Sequence, residues 1–154
     1  TSSPCARILP VSLSRDTAPP AVLVALSLWL CTAADVCEEL LTPLDELGHK
    51  LVHMTLVEKT CPAKLGEVEA FLSYTTLDNT KAQTAQLQLW ASQQPPGSTI
   101  WVDQVCLPEQ DIDLSLACLP IFISGCRKLL VIAGPAYPTR LWCAMELFVW
   151  LRSA

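Results

Sequence analysis

The chain has 154 residues, 51% of them hydrophobic and 16% charged, enough apolar material for one domain with its own core and too little charge for a disordered chain. A net charge of -5 and the scatter of its ten Lys and Arg residues leave no basic field to hold a phosphate backbone, which argues against nucleic-acid binding. It begins at Thr1 and stops directly after an apolar helical pattern, so it reads as part of something longer.

The composition shifts near Gly66 and divides the chain into an N-terminal segment, 1–66, and a second unit, 67–154. Residues 2–20 are rich in Ser, Pro and Thr and read as a loop or linker. Residues 21–34 are apolar and uncharged but fall short of the roughly 20 residues that cross a bilayer. Three readings stay open for them: the core of a signal peptide, a short or truncated membrane helix, or a buried or interfacial helix. Residues 35–47 set Val36, Leu40, Leu41, Leu44 and Leu47 against Glu38, Glu39, Asp45 and Glu46. That is the pattern of an amphipathic helix, which Gly48 would end.

From Glu67 onward, short apolar runs alternate with helical patterns. A strand is predicted over 68–74, a helix over 80–93 with a stop at Gln94-Pro95-Pro96-Gly97, and a second strand over 99–103. Asp111 or Asp113 can cap a helix through Leu114, Leu116, Ala117, Leu119, Ile121 and Phe122 to Gly125, with Pro120 placed to kink it. Residues 127–133 form a third strand, apolar on both faces as parallel strands are, and a last helix covers 139–151. The order βαβαβα predicts an α/β fold of three layers, a parallel sheet flanked by helices and wound by right-handed crossovers.

None of the eight cysteines forms a Cys-x-x-Cys pair, and several sit among Leu, Val, Ile and Trp. They read as reduced, buried thiols of a cytosolic protein. His49 and His53 share helical spacing but have no third ligand nearby, so no metal site is expected.

Ligands of such sheets bind beyond the carboxyl ends of the strands. That rule selects Ser73, Tyr74 and Asp78 after the first strand, Asp103 and Cys106 after the second, and residues 134–139 after the third. In the last helix Glu146 is the only acid between residues 141 and 151, with Trp142 four residues earlier on the same face. Burying an unpartnered carboxylate is costly, so Glu146 is paired, faces a cleft or is chemically employed. A buried salt bridge to Arg127 or Arg140 is the plain alternative.

These segments carry a resemblance. Phe71-Leu72-Ser73-Tyr74 with Asp78, Trp101-Val102-Asp103, Leu129-Leu130-Val131-Ile132 and Arg140-Leu141-Trp142-Cys143-Ala144-Met145-Glu146-Leu147 resemble the successive boxes of a TIR (Toll/interleukin-1 receptor) domain. The most specific part is Trp142-Cys143-x-x-Glu146-Leu147. Trp101-Val102-Asp103-x-x-Cys106-Leu107 is also similar to a signature of the related HET (heterokaryon incompatibility) domains. Together the boxes span about residues 67–151.

The resemblance implies a flavodoxin-like sheet that continues for two more strands, so that this chain would be truncated and leave a sheet edge open. It also implies work in signalling or defence through homotypic association. In enzymatic members it implies cleavage of NAD, as substrate and not cofactor, at the nicotinamide–ribose bond. Glu146 stands where those members carry the catalytic glutamate, and Ser73, Tyr74, Asp78, Asp103 and Trp142 would bind the substrate.

Leu107, Pro108, Glu109, Gln110 and Asp111 stand where TIR domains carry the loop used for self-association, although no glycine is present there. Thr75 and Thr76 follow Tyr74 where many members have Arg or His. Three functional classes follow: an NAD nucleosidase, a non-enzymatic association scaffold, or the cytoplasmic part of a membrane-anchored receptor tethered through residues 21–34.

Overall fold

The computed structural model describes residues 9–14, 28–32, 60–106 and 117–153, the first two segments by their backbone alone. Three strands form its parallel centre: β4 (Val68–Ser73) lies between β5 (Thr99–Trp101) and β6 (Cys126–Ala133). Phe71 stands opposite Trp101 on one side and Leu129 on the other. Val68, Ala70, Phe71 and Leu72 are all buried. Consecutive burial of this kind means that both faces of the sheet are covered, which is why these strands read as continuous apolar runs rather than alternating ones.

The helices supply that cover. In α1 (Thr80–Ser92), the Asn79 side chain caps the first turn by accepting the Ala82 N–H at 3.0 Å, and Leu87 and Trp90 are buried. A short α2 (Asp103–Cys106) follows β5, and α3 (Leu119–Gly125) leads into β6. Pro120 sits in the first turn of α3, where its missing N–H has no partner to lose, so it starts the helix instead of kinking it. The cap residues expected for this helix, Asp111 and Asp113, lie outside the described residues.

The steps from β4 to β5 and from β5 to β6 run in opposite directions along the sheet. Right-handed crossovers therefore put α1 and α3 on opposite faces. The face of α3 is marked by an aromatic column, Phe71 on Trp101 (centroids 4.6 Å apart) and Trp101 on Phe122 (5.5 Å). The last helix, α4 (Leu141–Ser153), packs against α3 on that same side.

The N-terminal segment departs from expectation. Its described parts are strands: β1 (Leu9–Ser14) pairs antiparallel with β6, β2 (Leu28–Thr32) pairs antiparallel with β5, and β3 (Cys61–Ala63) pairs with β2. Among the described residues the sheet thus has six strands in the order β1-β6-β4-β5-β2-β3, a parallel centre with antiparallel margins. Part of the predicted linker is β1, and the part of 21–34 that is described is a strand and not a helix.

The reason is the sheet edge. Unbroken apolar runs do not separate strand from helix by periodicity, and the unpaired N–H and C=O groups along β5 and β6 are met when a strand is laid beside them. A sheet edge was expected to stay open; β1 instead pairs along the outer edge of β6 from Lys128 to Ala133.

Among the described residues no helix is long and apolar enough to cross a membrane. Among the described residues Cys61, Cys106, Cys118, Cys126 and Cys143 form no disulfide, and Cys106, Cys126 and Cys143 are buried as small apolar residues are. The predicted helix over 35–47 and the pair His49 and His53 lie outside the described residues.

Candidate functional site

Side chains alternate along β4, so Ser73 faces the same side as Phe71, toward α3 and α4. The inner face of α4 carries Cys143, Glu146 and Trp150, a helical stripe that is buried along its length. Glu146 is 2% exposed. Its carboxyl accepts the Ser73 hydroxyl, and Ser73 in turn lies 2.6 Å from the hydroxyl of Tyr137, which sits in the 3₁₀ turn Tyr137–Thr139. Serine has one proton to give, so with Glu146 as acceptor the Tyr137 O–H donates to Ser73.

Burial pushes the Glu146 carboxyl up to about 8, with the nearby Asp103 charge acting the same way, while hydrogen bonds from Ser73 and the Trp142 indole oppose the rise. Tyr137 is pushed up as well, chiefly by burial. A second acidic centre stands at the end of β5. Asp103, the first residue of α2, accepts the Gln104 N–H at 2.8 Å and the Tyr74 hydroxyl. Burial raises both members of the Asp103–Tyr74 pair, and the bond between them works against the rise for Asp103.

Beside the Asp103–Tyr74 pair lies a cleft of about 100 Å³, at the carboxyl ends of the parallel strands. Tyr74, Thr75 and Thr76 contribute from the end of β4, Asp103 and Gln104 from α2, and Arg140, Trp142 and Cys143 from the start of α4. Cys143 donates its thiol to the Tyr74 carbonyl at 3.4 Å, and burial pushes that thiol up to about 11, which makes it a poor nucleophile. Glu146 lies behind this lining, one turn along α4 from Trp142 and Cys143.

Asp78 lies outside this lining, in the connection between β4 and α1. Its Oδ1 accepts the Ala136 N–H at 2.8 Å, and the Gly134 backbone comes so close that a Cβ there would lie 2.4 Å from the Asp78 Cγ. Asp78 thus fixes the loop that carries Tyr137 to Ser73. Gln83 secures the near side by donating to the Thr75 carbonyl at 2.9 Å.

Of the residues singled out from the sequence, Tyr74, Asp103 and Trp142 line the cleft, whereas Ser73 and Glu146 meet behind its lining and Asp78, between β4 and α1, stands apart and holds the β6–α4 loop. Cys106 is buried and its sulfur accepts the Val102 N–H at 3.4 Å. Leu107, Pro108, Glu109, Gln110 and Asp111 lie outside the described residues. The expected salt bridge to Glu146 is not formed: among the described residues Arg127 and Lys128 both pair with Glu69, and Glu146 takes a hydroxyl instead. Arg127 follows Cys126 at the start of β6, at the end of the sheet away from the cleft, and so cannot reach α4's acid.

Sequence reasoning did not choose Tyr137, Thr75, Thr76, Gln104, Arg140 or Cys143 as site residues. All are within a few residues of a selected position or inside the loop after β6, so strand ends pointed to the neighbourhood without choosing the side chains. Among the described residues no three His, Cys, Asp or Glu side chains stand together as a metal site.

Fold and site together define an α/β domain with a polar cleft at the carboxyl ends of its parallel strands and a buried acid beneath it. Comparison with protein-family models, curated proteins and solved structures finds no match to this chain.

Proposed function

We propose that this chain is a TIR-like domain of signalling or defence that cleaves NAD at its nicotinamide–ribose bond, with Glu146 as the reacting carboxylate. The observation that carries this reading is the placement of Glu146: an acid held in register by Ser73 and Trp142, one helical turn beneath a polar cleft at the sheet's switch-point end.

The chemistry fits such an acid. The bond from the ribose C1 to the nicotinamide nitrogen breaks, its electron pair neutralises the pyridinium ring, and the ribosyl centre becomes oxocarbenium-like. Water then adds its hydroxyl to C1 and releases a proton, giving nicotinamide and ADP-ribose. A carboxylate beside C1 stabilises the developing charge, as in glycoside hydrolysis. Resting Glu146 favours its neutral form, but a pyridinium cation brought against it favours the charged one, so the substrate itself ionises the group. Binding requires the Trp142 side chain to swing off the carboxyl.

A second reading rests on the burial of the same residue. Glu146 does not line the cleft, and about 100 Å³ is small beside the roughly 300–1,000 Å³ of most small-molecule sites. On that view the domain is a non-enzymatic scaffold for homotypic association, and Glu146 is a structural acid joining α4 to the sheet.

Nicotinamide release from NAD, measured at high protein concentration beside Glu146→Gln, separates the two. Release that vanishes in a folded variant supports the enzyme. No release from the unmodified chain moves the assignment to the scaffold.

A further inference from the structure

The geometry points to the mouth of the cleft as an anion subsite that takes a phosphate group of a nucleotide, with Arg140 as its charge partner. This assignment rests on reading the cleft as a nucleotide site.

The charges in the cleft decide which ligand group belongs there. Its lining contains one carboxyl, Asp103, and one cation, Arg140. Asp103 is already committed, accepting both the Tyr74 hydroxyl and the Gln104 N–H. Arg140 is not: among the described residues the ion pairs are those of Glu69 with Arg127 and Lys128, and Arg140 has no carboxylate within that reach. Its side chain is exposed, yet its charge is felt at the floor, where it favours the Cys143 thiolate against burial. A guanidinium has five N–H donors in a planar fork suited to phosphate oxygens.

The neutral donors agree. The Thr75 hydroxyl accepts the Leu77 N–H at 3.3 Å and so keeps its own proton to give, and Thr76 stands beside it in the lining. Arg140 immediately precedes α4, whose first amide to be met is that of Ala144, by the Arg140 carbonyl at 3.1 Å. The amides of the helix before Ala144 have no acceptor within it, and they add the positive end of the helix dipole to the guanidinium.

Size and spacing give the same answer. A cleft of about 100 Å³ holds a ligand group and not a whole nucleotide. Six residues of helix, a rise of about 9 Å, separate Arg140 from Glu146. That rise is comparable to the reach from a guanidinium through a bound phosphate to the C1 of its ribose.

The test is equilibrium binding of ADP-ribose, adenosine and inorganic phosphate to the chain, to Arg140→Gln, and to Arg152→Gln as a control arginine on the same helix. Both arginines are exposed, so neither change removes a core contact. ADP-ribose is expected to bind roughly tenfold tighter than adenosine, to lose that margin in Arg140→Gln alone, and to weaken as salt is raised.

Adenosine binding as tightly as ADP-ribose, or an unchanged margin in Arg140→Gln, overturns the subsite while leaving a nucleotide site standing. Phosphate binding that needs Arg140, without any gain from the nucleoside, supports the subsite and removes the nucleotide reading. No binding of any of the three overturns both.

Discussion

Ser73, the last residue of β4, donates its hydroxyl to Glu146 in the second turn of α4, so the central strand is joined to the final helix by one buried hydrogen bond. The bond does two things at once. It satisfies a carboxyl that burial would otherwise leave without a donor from the sheet, and it fixes where that carboxyl points relative to the cleft.

Removing the donor should therefore cost more than one hydrogen bond. Ser73→Ala leaves a buried acceptor under-satisfied and is expected to destabilise the fold by about 1–3 kcal/mol, with Tyr137→Phe at the low end of that range. It should also raise the Glu146 pKa further, since the Ser73 bond is the larger of the two that oppose the rise. Chemical denaturation and a carboxyl NMR titration read the two effects separately.

Stability should fall as pH rises. The Glu146 carboxyl has its ordinary value of 4.5 when unfolded and is pushed up to about 8 when folded, so between these values the unfolded chain has lost a proton that the folded chain keeps. The unfolded state then binds fewer protons and the slope of unfolding free energy with pH is negative. Its contribution is fully present below pH 4.5 and gone above pH 8. Asp103, also raised by burial, acts in the same direction. Thermal melts at pH 5 and pH 8 should show Glu146→Gln losing less stability across that interval than the unmodified chain.

Gly134 is small because Asp78 is close. Gly134→Ala places a methyl 2.4 Å from the Asp78 Cγ, and the carboxyl can retreat only by giving up the Ala136 N–H. The expected cost is about 1–3 kcal/mol. Asp78→Ala on its own should also destabilise, but the double variant should be less damaged than the sum of the two, because the clash disappears with the carboxyl. A double-mutant cycle of unfolding free energies without such coupling would contradict this account.

The aromatic column should dominate the core. Phe71 is fully buried and stacked on Trp101, which stacks in turn on Phe122, so Phe71→Ala is expected to cost about 3–5 kcal/mol. Urea denaturation midpoints measure it, and an exposed apolar change such as Leu89→Ala on α1 should cost far less.

Thiol reactivity should rank by burial. Cys61 is exposed, whereas Cys143 is buried, tied to the Tyr74 carbonyl and pushed up to about 11. Alkylation at pH 8 followed by peptide mass spectrometry should label Cys61 first and reach Cys143 only on unfolding.

Much of the central architecture was legible from local pattern. The run Leu129-Leu130-Val131-Ile132 is apolar on both faces, a helix was expected over 80–93 where α1 lies, the strand ends pointed to Tyr74 and Asp103, and helical spacing from Glu146 pointed to Trp142; all three of these residues line the cleft. Those features depend on neighbours within a turn or a strand, so the linear order of side chains determines them.

What only the tertiary structure decided lies in pairings between distant segments. Leu9–Ser14 and Leu28–Thr32 are strands because β6 and β5 offer unmet backbone groups at their edges, a demand that no local pattern in 1–34 records. Glu146 takes a serine from the sheet rather than an arginine because α4 lies across the carboxyl end of β4, where Ser73 points, while Arg127 stands at the strands' other end. Composition announced a buried acid; its partner was settled by which residues the crossovers bring face to face.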